Sequence, residues 1–207
     1  MNTLQKWWNQ ATKVELSSNV NYNEDTIKEF GMMANSKTTA IACTYGKCTD
    51  GSNKLLCVYN QKPDIGGDLY STVQTIQDTC SDCPDQCYAY LCRRDPAATS
   101  ASEIPLSMCS SGSDEMDYYL QKMARDMHNH YRRLVATGWA KDNQGYAPPA
   151  KAMQQLSYDC DTIGESSKSK ADCDLNSYTA DTDFSINYFI YDKVSKEEAL
   201  QKILVSR

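Results

Sequence analysis

Glu115-Met-Asp-Tyr-Tyr-Leu-Gln-Lys-Met-Ala-Arg-Asp-Met-His-Asn-His-Tyr-Arg-Arg-Leu-Val-Ala-Thr-Gly138 is the stretch from which the fold can be read. Its apolar positions Met116, Leu120, Met123, Met127, Tyr131 and Leu134 recur every three or four residues, the spacing that lines up one face of an α-helix. Ser113 or Asp114 is placed to cap its start, and Gly138 to end it.

On the N-terminal side of this helix, residues 93–115 are rich in small and polar types and are expected to be a linker. Before it, Cys80, Cys83, Cys87 and Cys92 crowd a segment too short to hold itself by burial, so its shape must come from cross-links. Further back, Thr38–Tyr45 and Lys54–Tyr59 are β-prone runs separated by Gly46, Asp50-Gly51 and Ser52-Asn53, the pattern of a hairpin. Cys43 and Cys57 would face each other on its strands, and a bridge closing that loop of roughly 14 residues is worth up to about 3 kcal/mol in the chain-entropy model. Leu69-Tyr70 is strand-like. At the start, Leu4, Trp7, Trp8, Ala11 and Val14 follow helical spacing and predict an amphipathic helix with a buried aromatic face.

On the C-terminal side, a loop over 138–149 closes at Pro148-Pro149. A second amphipathic stretch runs through Met153, Leu156 and Cys160, Phe184–Tyr191 is a candidate strand or buried turn, and Ser195-Lys-Glu-Glu198 is a capping box for a last helix.

The 207 residues fit one ordinary domain. No run approaches the roughly 18 apolar residues of a membrane span, and a net charge of -6 argues against wrapping nucleic acid or binding anionic membrane. Ten cysteines point to an oxidised, extracellular protein. The C-x2-C spacing of Cys80 and Cys83 also suits zinc. The remaining six, Cys43, Cys48, Cys57, Cys109, Cys160 and Cys173, lack ligand spacing, and both histidines lie far from the cluster, so disulfides are favoured. Met1–Trp8 has none of the features of a secretion signal, which is expected if a leader has been removed or the chain is a fragment.

The His128-Asn-His-Tyr-Arg-Arg133 run, followed by Pro148-Pro-Ala-x-x-Met153 and Leu156-Ser-Tyr-Asp-Cys160, resembles the CAP superfamily of cysteine-rich secretory proteins, antigen 5 and nematode activation-associated secreted proteins. Trp7-Trp8-Asn9, Met33–Cys43, Leu56-Cys57-Val58-Tyr59 and the 80–92 cluster are similar to that family's later half and hinge. The order is inverted. Residues 1–77 resemble the C-terminal half of a CAP domain, 78–92 a cysteine-rich hinge, 93–115 a linker, and 116–207 the N-terminal half of a second domain. The resemblance implies an α+β fold of three-layer α-β-α sandwich type, stabilised by disulfides, with its halves in permuted order. Each half alone would leave an apolar face wet, so the two must pack within the chain or swap between two chains as a homodimer.

Metal-binding members of the family carry two histidines and two glutamates in a cleft, a set that suits Zn2+. The corresponding positions are Gln10, Glu29, Ile186 and Ser177, so none of the four ligands is kept, and no metal or cofactor is expected. His128 and His130 diverge by roughly 200° on a helix and cannot share one metal. His128, Asn129, Tyr131 and Arg132 are motif residues of structural character, and no catalytic motif is present. The acidic patches Asn23–Asp25 and Asp181–Asp183 are expected to be solvated surface. The resemblance implies a secreted, non-enzymatic protein, of parasitic-nematode type, that binds a host protein or cell-surface receptor and modulates immunity. The alternative is a lipid or sterol carrier.

Overall fold

The computed structural model describes residues 3–17, 19–93, 108–109, 116–171 and 177–192. The chain is α+β. A four-stranded mixed sheet runs in the order β5-β1-β2-β6, where β1 is Ala40–Lys47, β2 Ser52–Tyr59, β5 Ser157–Tyr158 and β6 Ser185–Asp192. β1 and β2 form the expected hairpin, with Cys43 directly opposite Cys57 and bridged to it across a Cα separation of 4.1 Å. β6 pairs antiparallel with β2, and β5 pairs parallel with β1.

Because side chains alternate across a strand, the sheet offers two faces. On one, Ile41, Cys43, Tyr45, Leu55, Cys57 and Tyr59 meet α1 (Thr3–Trp8), α2 (Glu24–Ala34) and α3 (Tyr118–Ala136) in the main core. On the other, Ala40, Ala42, Leu56, Val58 and Ile186 meet Ile163 of α4 (Thr162–Ser169) and Tyr178. The main core draws on residues 4–70 and 116–156 alike, so it is closed within one chain.

The periodicity of α3 holds: Met116, Leu120 and Tyr131 are buried, and Met123, Met127 and Leu134 pack against the core. Its cap differs from the sequence expectation. Asp117 accepts from Leu120 N at 2.9 Å, which leaves Ser113 and Asp114 outside both the helix and the described residues. Gly138 stops it at φ +75°, where a Cβ would also crowd the Pro149 ring. α1 tightens after Trp8 into a 3-10 turn, Asn9–Lys13, while Leu4, Trp7, Trp8 and Ala11 keep their buried face.

Three local expectations fail. Leu69 and Tyr70 are fully buried but form no strand, because Leu69 exchanges backbone bonds with Val20 and Ser36 rather than with a ladder. The stretch through Met153 and Leu156 is extended, burying both residues on its way into β5, and the helix begins only at Thr162. α2 was not expected, although Asn23 caps it by accepting from Asp25 N and Ile27, Phe30, Met33 and Ala34 give it a buried face. The Ser195 capping box and its helix lie outside the described residues.

Two further bridges, Cys80–Cys87 and Cys83–Cys92, staple the hairpin of β3 (Cys87–Tyr88) and β4 (Leu91–Cys92). A fourth, Cys109–Cys160, ties the expected linker to the segment between β5 and α4. Cys48 is also disulfide-bonded, and Cys173 lies outside the described residues.

Candidate functional site

The HNxYR run is built into the interior of the main core. Spacing of one and four along α3 turns His128, Asn129 and Arg132 toward the sheet and the chain around it. Arg132 is 0% exposed, and its guanidinium donates to four main-chain carbonyls: Met33, Asn35 and Thr38 through Nη1 and Nη2, and Gln154 through both Nε and Nη2. No carboxylate faces it among these bonds. Burial lowers its pKa to about 9, which leaves it charged at neutral pH, and the four carbonyl dipoles take the place of a counter-ion. One side chain thus joins the end of α2, the turn into β1 and the strand-like 150s.

Asn129 acts as a piece of backbone. Its Nδ2 donates to Leu156 O at 3.0 Å and its Oδ1 accepts from Leu156 N at 2.8 Å. Tyr131 stacks on Trp8 at 4.9 Å between centroids and donates to Gln5 at 3.3 Å, so it seals α1 against α3.

His128 sits in a buried hydrogen-bond chain. Its Nδ1 is 2.7 Å from Ala124 O, which can only accept, so Nδ1 carries the proton. Nε2 then accepts from Tyr59 Oη at 2.8 Å, and Tyr59 Oη accepts from Asn187 Nδ2 at 3.2 Å. Desolvation drives the His128 pKa down to about 4, with the Arg132 charge adding to it, so the imidazole is neutral across the physiological range. Burial likewise pushes the Tyr59 phenol far up, and no proton leaves this chain near pH 7. His130, on the other side of the helix, is exposed. Desolvation and then Arg133 lower its pKa, and it faces none of the groups just named.

Of the cleft positions inferred from the resemblance, two meet. Gln10 donates through Nε2 to the Glu29 carboxylate, while its Oε1 accepts from the backbone N–H of Glu29 at 2.9 Å and Phe30 at 3.0 Å. The cause is local. α2 is broken at Ile27 (φ -130°, ψ 35°), which frees amides that the helix would otherwise satisfy, and Gln10 supplies the missing acceptor. Ile186 does not join them. Strand alternation turns it into the core on the far face of the sheet, and the β6 residue that reaches the pair is Asn187, which donates to Glu29 O at 3.1 Å. Ser177 is exposed. Sequence reasoning therefore missed Asn187 and Tyr59; counting alternate residues from Cys57, whose β6 partner is Asn187, would have found both.

The described side chains gathered here are an amide, one carboxylate, a phenol and a second amide. They hold one another, with no thiolate and no second carboxylate to complete a metal shell. Elsewhere, the sulfur atoms of Cys80, Cys83 and Cys92 lie within 4.8 Å of one another, but each is already in a disulfide and has no thiolate to offer. Of the acidic patches, Asp181 accepts from Ser166 and pairs with Lys170 at 2.6 Å, while Glu24 and Asp25 occupy the first turn of α2.

No family model, no curated protein and no solved structure matches this chain. No described helix is long and apolar enough to cross a membrane.

Proposed function

We propose that the chain is a secreted, non-enzymatic protein of CAP type, with the family's two half-domains in inverted order and packed on each other within one chain, that works by surface recognition of a host protein or cell-surface receptor. The observation that supports this reading is that Gln10 and Glu29, two positions at which the resemblance would put metal ligands, are hydrogen-bonded to each other. The nearest imidazole, His128, is neutral, buried and committed at both nitrogens. Such a set neither binds Zn2+ nor moves a proton. The disulfides suit an oxidising compartment. Large aromatic side chains stand exposed on cross-linked or well-packed supports, among them Tyr88, Tyr90, Trp139 and Tyr146, and rigid exposed aromatics are what binding hot spots use.

Lipid carriage is less well supported, because the groove beside the stapled hairpin is bordered by polar side chains such as Asn60, Gln61, Asp82, Gln86 and Gln154. The test is attachment of the labelled protein to mammalian cells. Saturable binding that trypsin treatment of the cells removes is expected. Non-saturable uptake together with extraction of labelled cholesterol would establish the carrier instead, and a micromolar, saturable Zn2+ site by calorimetry would overturn the account of the cleft.

A further inference from the structure

A groove of about 640 Å3 is bordered by residues 16–17, 19–21, 68, 72–74 and 146–149. Its size is that of a small-molecule site. Its border combines one aromatic ring, Tyr146, and apolar side chains such as Leu16, Val20 and Val73 with the hydrogen-bonding side chains of Asn19, Asn21, Asp68, Thr72 and Gln74. We infer that this groove binds a neutral oligosaccharide, with Tyr146, steadied by the adjoining Trp139, as the stacking ring and Asn19, Asn21, Asp68 and Gln74 as the hydroxyl-binding edge. This goes beyond the recognition role proposed above and does not depend on it.

Three features of the groove converge on that ligand class. Tyr146 borders the groove and is 47% exposed, and Trp139, 61% exposed, meets it edge to face at 5.6 Å and steadies it. The C–H edges of a pyranose are weakly positive and the aromatic face is negative, so a sugar ring lies flat on such a surface. The platform is also rigid. Trp139 N donates to Leu134 O at 2.8 Å, Ala147 N to Ala140 O at 2.8 Å, and Lys141 bridges to Tyr146. Buried Asp142 locks this loop to the opposite wall by accepting from Leu16 N at 2.9 Å and Ser17 N at 3.1 Å. A site held this way loses little entropy on binding.

The polar edge is preorganised as well. Asn19 Oδ1 accepts from Asn21 N at 2.7 Å, and Asn21 Nδ2 donates to Asp68 Oδ1 at 2.7 Å and Gly66 O at 3.1 Å. These bonds fix the three side chains and do not use Asn19 Nδ2, Asn21 Oδ1 or Asp68 Oδ2, one donor and two acceptors, a mixture that matches vicinal hydroxyls.

Competing ligand classes fit less well. The described lining holds no Lys or Arg and does hold Asp68, which disfavours sulfated or sialylated chains and other anions. A peptide adding as a strand needs free backbone groups, but Val73 N is bonded to Pro149 O and Thr72 is paired with Ala150. An alkyl chain would bury the polar edge without partners.

The experiment is titration of the purified full chain with chitotriose, cellotriose and lactose, followed by saturation-transfer NMR and calorimetry. At least one of the three is expected to bind saturably. Tyr146→Ala should weaken that binding by about tenfold or more, Tyr146→Phe should retain it because the ring face is kept, and Tyr119→Ala, an exposed aromatic elsewhere, should leave it unchanged. Thermal midpoints of the variants confirm that each is folded, which half-exposed Tyr146 permits. Absence of binding by all three sugars up to about 10 mM, binding indifferent to Tyr146→Ala, or preference for a heparin octasaccharide over the neutral sugars would each overturn the inference.

Discussion

Around Arg132, irregular main chain is held by one buried side chain donating to four carbonyls; in the stapled hairpin, main chain just as irregular is held by sulfur. The first region lies inside a core contributed by both halves of the sequence, so desolvated dipoles are strong and each one counts. The second has β3 exposed on both residues and buries chiefly Leu91 and Cys92. It docks through a few backbone bonds, Cys92 N to Met153 O and Gln155 N to Cys92 O among them. Where burial is deep, a single guanidinium can organise three segments; where it is shallow, only a covalent link keeps the shape.

The sharpest way to break that contrast is Arg132→Leu. It strips the donors from carbonyls that cannot reach water, and on the order of 3–5 kcal/mol of unfolding free energy should go. Arg132→Lys should recover little, since three donors on a flexible stem cannot span four acceptors. Urea denaturation of both variants decides it. A loss under about 1 kcal/mol would mean that the carbonyls find other partners.

A pH experiment probes the same interior. The folded state holds His128 at about 4 against an ordinary value near 6.5, so between those values the unfolded chain binds the extra proton. Stability contributed by the neutral imidazole is complete above about pH 6.5 and lost as pH falls toward 4, amounting to about 3 kcal/mol. His128→Gln should flatten the slope of stability over that window. A slope equal in the two proteins would assign the acid sensitivity to carboxylates instead.

For the hairpin, replacing Cys80 and Cys87 together by Ser removes a bridge spanning seven residues, worth roughly 2–3 kcal/mol in the chain-entropy model. The effect should be local. Hydrogen exchange at Cys92 N and Gln155 N should accelerate while amides of α3 around Arg132 stay protected. Equal loss in both places would show that the hairpin and the core unfold as one unit.

The same division explains what the sequence discloses. α1, the β1–β2 hairpin with its Cys43–Cys57 bridge, α3 and β6 each carry a periodic apolar pattern of their own, and each is where that pattern places it. α2 was overlooked because Gly31 interrupts its apolar face. The glycine is there for packing, since a Cβ would run into the Tyr22 ring, a contact invisible until both segments are folded. Met153 and Leu156 carry helical spacing, yet the segment is extended, because Asn129 and Arg132 from α3 claim the backbone of Leu156 and Gln154. That Gln10 meets Glu29 is carried by no pattern of their own, and which β6 residue joins them, Asn187 rather than Ile186, turns on strand alternation, in which one residue decides the face.

The smallest expected effect is also the one with the opposite sign. The turn of the stapled hairpin consists of Ala89 and Tyr90, at φ +48° and +65°, joining the paired Tyr88 and Leu91. A two-residue turn with both central residues in the left-handed region is the type that favours Asn-Gly, and neither Ala nor Tyr adopts it without strain of about 1–2 kcal/mol. Tyr90→Gly relieves the strain at the second position and gives back part of the gain as unfolded-chain entropy, for a net stabilisation of about 0.5–1 kcal/mol. Tyr90 is half exposed, so little packing is lost. The gain should persist in the Cys80→Ser/Cys87→Ser background, where the turn must close without help from that bridge. Destabilisation by Tyr90→Gly in both backgrounds would mean that the ring itself anchors the hairpin, and the hairpin would then belong with the Arg132 region as a structure held by packing.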